Sequence, residues 1–310
     1  MKIALAFGIA FILTMYCFKV TAQNLPKVKS GGIVRLANFK SEYVDARHID
    51  IWLPKGYTNK QKYAVLYMHD GQMLYDATTT WNKTAWEVAD VATKLIEDNE
   101  VNKFIIVGIW NNNNKRHLEY FPQTPFDLLT KAEKDKVTTE LKKAGRITEG
   151  FKPISDNYLK FLVTELKPYI DNNYATLTKK ENTFIAGSSM GALISIYALC
   201  EYPNIFGGAA CLSTHWPGIF TVNNNPVPNA FASYLKQNLP SPKNHKIYFD
   251  YGDQTLDSLY KPLQQNIDTL MAANGYTSKN WITKYFAGQN HSEKAWSSRL
   301  HIPLVFLLKK

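Results

Sequence analysis

The fold of this 310-residue chain is decided by one stretch, which reads Thr183-Phe184-Ile185-Ala186-Gly187-Ser188-Ser189-Met190-Gly191. The residues before Gly187 are typical of a buried strand, and the apolar run Ala192–Tyr202 that follows is typical of a helix. A serine in a tight strand-to-helix turn needs small neighbours, and only Ser189 has a glycine two positions away on each side. The helix N-terminus then brings its amides beside the serine oxygen. The pattern predicts Ser189, and not Ser188, as a nucleophile.

Other apolar runs typical of strands lie on both sides of this turn. They are His48–Leu53, Ala64–Met68, Phe104–Ile109, Gly208–Leu212, Lys246–Tyr251 and Trp281–Phe286. Helical periodicity occurs between most of them, in Thr84–Ile96, Tyr158–Tyr169, Leu256–Ala273 and Ser292–Leu308. Strands that alternate with helices predict an α/β fold, a mostly parallel central sheet flanked by helices on both faces. The first runs precede any long helix, so we expect an antiparallel start to the sheet.

The N-terminus has the pattern of an export signal. Lys2 is followed by the apolar run Ile3–Met15 and by the small-residue site Val20-Thr21-Ala22. The run is too short for a membrane span, which needs roughly 20 residues. We therefore expect a cleaved signal peptide at 1–22, no stable membrane insertion, and a single domain at 23–310 that is secreted or periplasmic. Two stretches, 111–152 and 216–242, break the alternation of strands and helices and predict loop insertions above one edge of the sheet.

The composition excludes several classes of protein. With 45% hydrophobic and 20% charged residues, the chain is neither disordered nor a disulfide-rich miniprotein. The formal charge is +10, and the loss of Lys2 and Lys19 from 36 basic residues leaves 34 against 26 acidic ones, or +8. The lysines are scattered and no basic–aromatic signature occurs, so the charge predicts a solvated surface and no nucleic-acid partner.

The cysteines and histidines indicate no metal site. Cys17 belongs to the signal, and Cys200 and Cys211 lie in helix-like and strand-like apolar runs, which predicts two buried thiols and no disulfide. The seven histidines are dispersed, and no metal-ligand spacing, phosphate loop or dinucleotide fingerprint occurs. We expect no metal and no cofactor.

A nucleophilic serine in such a turn needs a histidine base and an acid, which follow it in the order serine, acid, histidine. His215 comes before any suitable acid, His245 just before a strand, and His301 within a helix. His291 follows the last strand-like run and is therefore the expected base. The residues alone do not decide which aspartate is the acid. Asp253 and Asp257 both lie in the loop after Lys246–Tyr251, and Asp250 lies within that strand.

The chain resembles the putative-esterase family of α/β-hydrolases, which includes feruloyl and acetylxylan esterases, enterochelin-type siderophore esterases and antigen 85-like acyltransferases. The matching stretches are Tyr67-Met68-His69-Asp70-Gly71-Gln72, Arg116-His117-Leu118-Glu119-Tyr120, Gly187-Ser188-Ser189-Met190-Gly191 with Tyr202-Pro203 and Phe206, and Gly288 to His291 with Trp296. The resemblance implies an α/β-hydrolase fold with a Ser189–Asp257–His291 triad. It favours Asp257 because Gly252 to Leu259 resembles the family's acid loop with two extra residues.

The same resemblance implies an oxyanion hole in which the backbone N–H of Gln72 joins that of Met190, the residue after the nucleophile. It also implies substrate contacts from Arg116, Glu119 and Tyr120. Several aromatic residues fall in or beside the loops at the strand ends and are candidates to stack on a sugar ring or a cinnamoyl group. They are Trp81, Trp86, Trp110, Tyr120, Trp216 and Trp296.

We therefore expect a secreted serine carboxylic-ester hydrolase that works through an acyl-enzyme. Its substrate would be a small-molecule or polysaccharide ester, of the feruloyl or acetyl xylan type. One alternative is a siderophore trilactone esterase, and a variant of the mechanism is acyl transfer to an alcohol in place of water. An alternative of another class is a secreted, non-catalytic binding module on a hydrolase scaffold.

Replacing Ser189 by alanine is expected to lower kcat for p-nitrophenyl acetate by several orders of magnitude, because the acyl-enzyme cannot form. Ser188→Ala is the matched control and should stay active. Rates are measured on the purified mature protein, with circular dichroism to check the fold. Loss of turnover in Ser188→Ala together with normal turnover in Ser189→Ala would assign the nucleophile to Ser188.

Overall fold

The computed structural model describes residues 24–309, which form one eight-stranded sheet. The strands are β1 (Gly32–Phe39), β2 (Arg47–Leu53), β3 (Ala64–His69), β4 (Phe104–Ile109), β5 (Thr183–Ser188), β6 (Gly208–Leu212), β7 (Lys246–Tyr251) and β8 (Trp281–Tyr285). Their order is β1-β2-β4-β3-β5-β6-β7-β8, and every pair from β4 to β8 is parallel. β1 and β2 are antiparallel, and so are β2 and β4. The mostly parallel sheet and its antiparallel start are as expected, whereas β1 was not anticipated.

Helices fill most of the connections between the strands. They are α1 (Val88–Glu97), α2 (Arg116–Tyr120), α3 (Gln123–Asp127), α4 (Lys131–Lys143), α5 (Ser155–Lys160), α6 (Lys167–Asn173), α7 (Met190–Glu201), α8 (Val227–Asn238), α9 (Tyr260–Ala273), α10 (Glu293–Arg299) and α11 (His301–Leu308). A π-helical stretch, Phe161–Leu166, joins α5 to α6. No helix within 24–309 is long and apolar enough to cross a membrane. The expected signal peptide at 1–22 lies outside the described residues.

Helices cover both faces of the sheet, because the side chains of each strand alternate between two apolar cores. In β3, Val65 and Tyr67 pack into the core that contains α5 to α9, whereas Leu66 and Met68 pack into the core that contains α1, α10 and α11. Every residue of β3 is buried, as expected for a strand covered on both faces. Cys200 and Cys211 are free and buried in the first core, which confirms the prediction of two thiols.

The sheet brings the carboxyl ends of β3, β5 and β7 to one edge. β3 lies between β4 and β5, so the chain runs to one side of β3 for β4 and to the other side for β5. In open α/β sheets, ligands bind outside the carboxyl ends of the strands at such a switch point. This edge is therefore where the site is expected from topology alone.

The two stretches expected as insertions contain helices and touch each other. α2 to α4 lie within 111–152, and α8 lies within 216–242. α3 packs on α8, and Phe121, just after α2, packs on Phe231 of α8 with 5.4 Å between ring centroids. Lys136 Nζ of α4 also donates a 2.7 Å hydrogen bond to the Asn224 carbonyl. These segments form one wall of the space above the sheet edge.

A buried ion pair ties the first of these segments to the sheet. Arg47, the first residue of β2, donates bonds of 2.9 and 2.7 Å to the two carboxylate oxygens of Glu119 in α2. The side chains are 2% and 0% exposed. Because both charges are removed from water, each needs the opposite charge to offset the free-energy cost of its burial.

Glu119→Gln is expected to lower the free energy of unfolding by about 3–5 kcal/mol, because it leaves the Arg47 charge buried and uncompensated. Asp98→Asn is the matched control. It removes a carboxylate from the pair with Lys94, whose side chains are 77% and 43% exposed, and should cost about 1 kcal/mol or less. Urea unfolding midpoints give both values, and equal losses would contradict a structural role for the buried pair.

Candidate active site

Ser189 lies at the turn between β5 and α7 in a strained backbone conformation. Its φ is 56° and its ψ is −120°, a region that serine rarely adopts. The turn is held because Ser189 N donates to the Leu212 carbonyl of β6 at 3.0 Å. A Cβ at Gly187 would lie 2.6 Å from the carbonyl carbon of Gly191, so the first glycine cannot be replaced without moving the turn. The strain exposes the serine to the space above the sheet edge.

His291 and Asp257 are in direct contact beside this turn. His291 Nδ1 lies 2.6 Å from Asp257 Oδ1, and the Asp257 carboxylate is fully buried. Its other oxygen, Oδ2, accepts hydrogen bonds from the Gly252 amide at 2.7 Å and the Ser213 hydroxyl at 2.6 Å. Ser189 and His291 line the same cleft. Because Nδ1 is hydrogen-bonded to Asp257, Nε2 is the ring nitrogen that is free to exchange a proton with a neighbouring group.

A second layer of polar side chains holds Asp257 in place through Ser213. The Ser213 hydroxyl oxygen accepts bonds from Trp296 Nε1 and Arg299 Nη2, both at 2.9 Å. Arg299 also donates to Asp250 at the end of β7, at 2.8 Å. Burial raises the pKa of Asp250 to about 6, although the Arg299 guanidinium acts to lower it. Asp250 is thus committed to Arg299 and not to His291.

Asp253, the other candidate acid, is a half-buried turn residue. Its carboxylate accepts hydrogen bonds from the Tyr285 hydroxyl at 2.6 Å and the Gly288 amide at 2.8 Å. These bonds pin the loop after β8 to the loop after β7. The structure therefore brings Asp257, and not Asp253, to His291.

The loop after β3 brings Gln72 to the cleft opposite Ser189. Gly71–Met73 is a single 3₁₀ turn that starts after Asp70, whose φ of 57° is left-handed. A Cβ at Gly71 would lie 2.5 Å from the backbone carbon of Gly108 in β4, so only glycine fits there. Gln72 and Met190, the first residue of α7, both line the cleft. Their backbone amides are the candidate donors to an oxyanion.

Arg116 also lines the cleft, but its guanidinium forms an ion pair with Asp70. Its Nε and Nη2 donate bonds of 2.7 and 2.8 Å to the two oxygens of that carboxylate, and Asn111 Nδ2 adds a bond of 2.6 Å. Burial acts to raise the pKa of Asp70, but the Arg116 guanidinium and the Asn111 amide outweigh it and bring the pKa below its usual range. This pair fixes the loop that carries Gln72.

The cleft has a volume of about 780 Å³. Of the aromatic residues proposed to contact substrate, Trp81, Trp86, Trp110 and Trp296 line it. Trp81 is 82% exposed and stands at the rim, whereas Trp296 packs edge-on against His291 with 4.9 Å between centroids. Among residues 24–309, no group of three or more metal-ligating side chains is clustered.

Three expected substrate contacts are wrong, because those side chains point into the core. Glu119 is fully buried in its pair with Arg47. Tyr120 is fully buried, and its hydroxyl accepts a 3.3 Å hydrogen bond from the Asp70 amide. Trp216 is 2% exposed and donates from Nε1 to Gln264 of α9 at 2.8 Å, away from the cleft. Each residue supports a neighbouring element instead of touching a ligand.

Sequence reasoning missed Ser213, Arg299 and Tyr260. Tyr260 opens α9 three residues after Asp257, and its hydroxyl lies 2.9 Å from His215 Nδ1. His215 lines the cleft, but burial places its pKa well below the usual value, which makes it a poor base. One usable signal was the three-residue spacing of Trp296 and Arg299, which puts both on one face of α10.

Comparisons with known proteins agree with this fold. The family described as "Putative esterase" matches residues 41–304. The chain is 23% identical over 180 residues to the "Uncharacterized protein YjcH" of Bacillus subtilis, covering 58% of this chain and 60% of that protein. It is 22% identical over 281 residues to an "Endo-1,4-beta-xylanase/feruloyl esterase" of Xylanibacter ruminicola, covering 87% of this chain but only 30% of that protein.

A solved ferulic acid esterase superposes on 90% of this chain and 98% of its own, with a TM-score of 0.64 at 19% identity. At this identity the likeness establishes the fold, and it confirms the expected α/β-hydrolase architecture. The curated relatives above are longer than the regions matched, since the matches span 60% and 30% of their lengths.

Asp257→Asn is expected to lower kcat roughly 10⁴-fold, because an amide cannot stabilise the imidazolium or hold the same tautomer of His291. Asp253→Asn, a change in the same loop at a half-buried side chain that does not contact His291, should stay within about tenfold of wild type. Both rates are measured on p-nitrophenyl acetate, with melting temperatures as a check on folding. A crippled Asp253→Asn beside an active Asp257→Asn would reverse the assignment.

Proposed function

Because the chain belongs to the family described as "Putative esterase", we propose that it is a serine carboxylic-ester hydrolase with Ser189, Asp257 and His291 as its triad. The observation that carries the proposal is the 2.6 Å contact between His291 Nδ1 and the buried Asp257 carboxylate, in the cleft that Ser189 also lines. The left-handed φ of Ser189 supports it, because a strained backbone is characteristic of a residue held for function.

The proposed reaction has two halves. His291 Nε2 takes the proton from Ser189 Oγ as that oxygen attacks the ester carbonyl, and Asp257 stabilises the imidazolium that forms. The Met190 and Gln72 amides donate to the negative oxygen of the tetrahedral intermediate. His291 then gives its proton to the leaving alcohol, and the acyl group stays on Ser189. In the second half, water repeats the attack and releases the acid.

The proposed substrate is an ester on a carbohydrate, of the feruloyl or acetyl xylan type. The cleft of about 780 Å³ is large enough for a sugar with its acyl group, and the exposed ring of Trp81 stands at its rim. Flat aromatic faces of this kind suit sugar rings and cinnamoyl groups. The names of the two esterase relatives point to the same class of ester. A polymeric substrate also fits the proposed cleavage of residues 1–22 and export of the mature protein.

Labelling with a fluorophosphonate tests the mechanism independently of the substrate. A reactive Ser189 should form a covalent adduct, found by mass spectrometry on the peptide that contains residues 183–201. His291→Ala should abolish labelling, because the serine loses its base. An unlabelled wild-type protein that is folded and does not hydrolyse esters would favour a non-catalytic binding module instead.

A panel of esters tests the substrate class. We expect kcat/KM to be highest for feruloylated or acetylated xylo-oligosaccharides and lower for the same acids as methyl or ethyl esters, because the sugar adds contacts in the cleft. Trp81→Ala should reduce the difference in kcat/KM between the sugar esters and the methyl or ethyl esters. A preference for cyclic catechol trilactones would assign the siderophore alternative, and products formed on added alcohols would indicate acyl transfer.

A further inference from the structure

The two insertion segments meet the cleft at a corner that the proposed chemistry does not use. Phe220 lies at its centre, with His117, Arg146 and His215 around it; we call these four residues the Phe220 corner. The Phe220 ring centroid is 5.3 Å from that of His215 and 6.3 Å from that of His117, and the Arg146 guanidinium carbon lies 5.0 Å from it. All four residues line the cleft.

The charge of Arg146 is uncompensated by any carboxylate in the described part of the chain. The other charged residues that line the cleft are Asp70, Arg116 and Glu293. Asp70 and Arg116 form a bidentate pair, and Glu293 accepts from Asn82 and Thr84 while its field acts on Arg116. Arg146 makes only a cation–π contact with Phe220. The cleft is therefore polarised, with its positive end at the Phe220 corner.

The two histidines of the corner add hydrogen-bonding atoms but no charge. Burial lowers the pKa of His117 to about 3 and that of His215 well below its usual value, so both rings are neutral at physiological pH. The Nε2 atoms of both are buried and have no hydrogen-bond partner among residues 24–309. Unpartnered buried polar atoms are rare in native structures and call for a partner. The corner therefore offers two unfilled hydrogen-bonding positions to a ligand in the cleft.

We propose that the Phe220 corner binds a carboxylate on the substrate, so that of two otherwise matched esters the anionic one is preferred. The Arg146 guanidinium lies over the Phe220 ring, and a guanidinium presents two parallel N–H groups to a carboxylate. The His215 amide donates a 3.3 Å hydrogen bond to the Ser189 carbonyl, so the corner lies beside the proposed nucleophile. The inference rests on the proposed esterase function and adds to it the charge of the substrate.

Two pairs of esters test the proposal, one for each half of the substrate. For the acyl half, 4-nitrophenyl hydrogen glutarate is compared with 4-nitrophenyl valerate, which has a methyl group in place of the carboxylate. For the alcohol half, 4-acetoxybenzoate is compared with its methyl ester. We expect the wild type to favour the anion in kcat/KM by about tenfold or more in at least one pair, as a charge-assisted hydrogen bond warrants. Arg146→Gln should bring the ratio of kcat/KM for the anionic ester to that for the neutral ester close to one, and Arg146→Glu should bring it below one.

Lys143→Gln is the matched control. Lys143 ends α4 three residues before Arg146, is exposed and does not line the cleft, so its loss changes net charge alone. In Lys143→Gln, the ratio of kcat/KM for the anionic ester to that for the neutral ester should equal the wild-type ratio. The proposal is overturned if neither pair shows a preference for the anion, if Arg146→Gln keeps the preference, or if Lys143→Gln loses it equally.

A binding measurement separates this inference from the proposed function. Glutarate is titrated into Ser189→Ala and into Ser189→Ala/Arg146→Gln, with tryptophan fluorescence as the readout, since four tryptophans line the cleft. Saturable quenching in the first protein and at least tenfold weaker binding in the second supports the corner even if no ester is hydrolysed. Equal binding in both overturns it, whatever the esterase activity.

Discussion

The turn from Gly187 to Gly191 is the constraint on which the site depends. Gly187 approaches Gly191 so closely that no side chain fits between them, and Ser189 takes a left-handed conformation as a result. Leu212 on the neighbouring strand accepts the Ser189 amide and fixes the turn to the sheet. Since β5 is central and buried, the position of the serine is set by the most rigid part of the molecule. The other site residues only have to reach this fixed point.

The acid and base reach it on loops, and buried polar contacts replace the rigidity that loops lack. Asp257 is held on one oxygen by Gly252 and Ser213 and on the other by His291. Ser213 in turn connects to Arg299 and Trp296 of α10, so this helix is bound to the loops after β6 and β7. A network of this kind is stabilising only when nearly all of its members are satisfied. Its extent explains why a loop residue can be placed as accurately as one in a strand.

Much of the fold was predictable because central strands have a simple signature. The runs that became β3 to β7 are mostly apolar and buried on both faces, whereas β1 is an edge strand with a half-exposed pattern and carries no such signal. Asp253 and Asp257 were indistinguishable, because both follow the same strand and only the path of the loop decides which one turns inward. Glu119 failed as a substrate contact since its partner, Arg47, is 72 residues away in sequence. Pairings at such distances leave no local pattern.

The contact between the two insertion segments separates the proposed catalytic residues from the proposed recognition residues along the chain. Ser189, Asp257 and His291 come from the ends of sheet strands, whereas Arg146 and Phe220 come from segments that pack largely on each other, through α3, α8 and the bond from Lys136 to Asn224. Changes at Arg146 and Phe220 leave these three residues in place, whereas Arg116 of the same segment also fixes the loop that carries Gln72. Substitutions at such positions can therefore change the preferred ester while the reaction stays the same. Directed evolution of substrate preference on this scaffold should begin with these two segments.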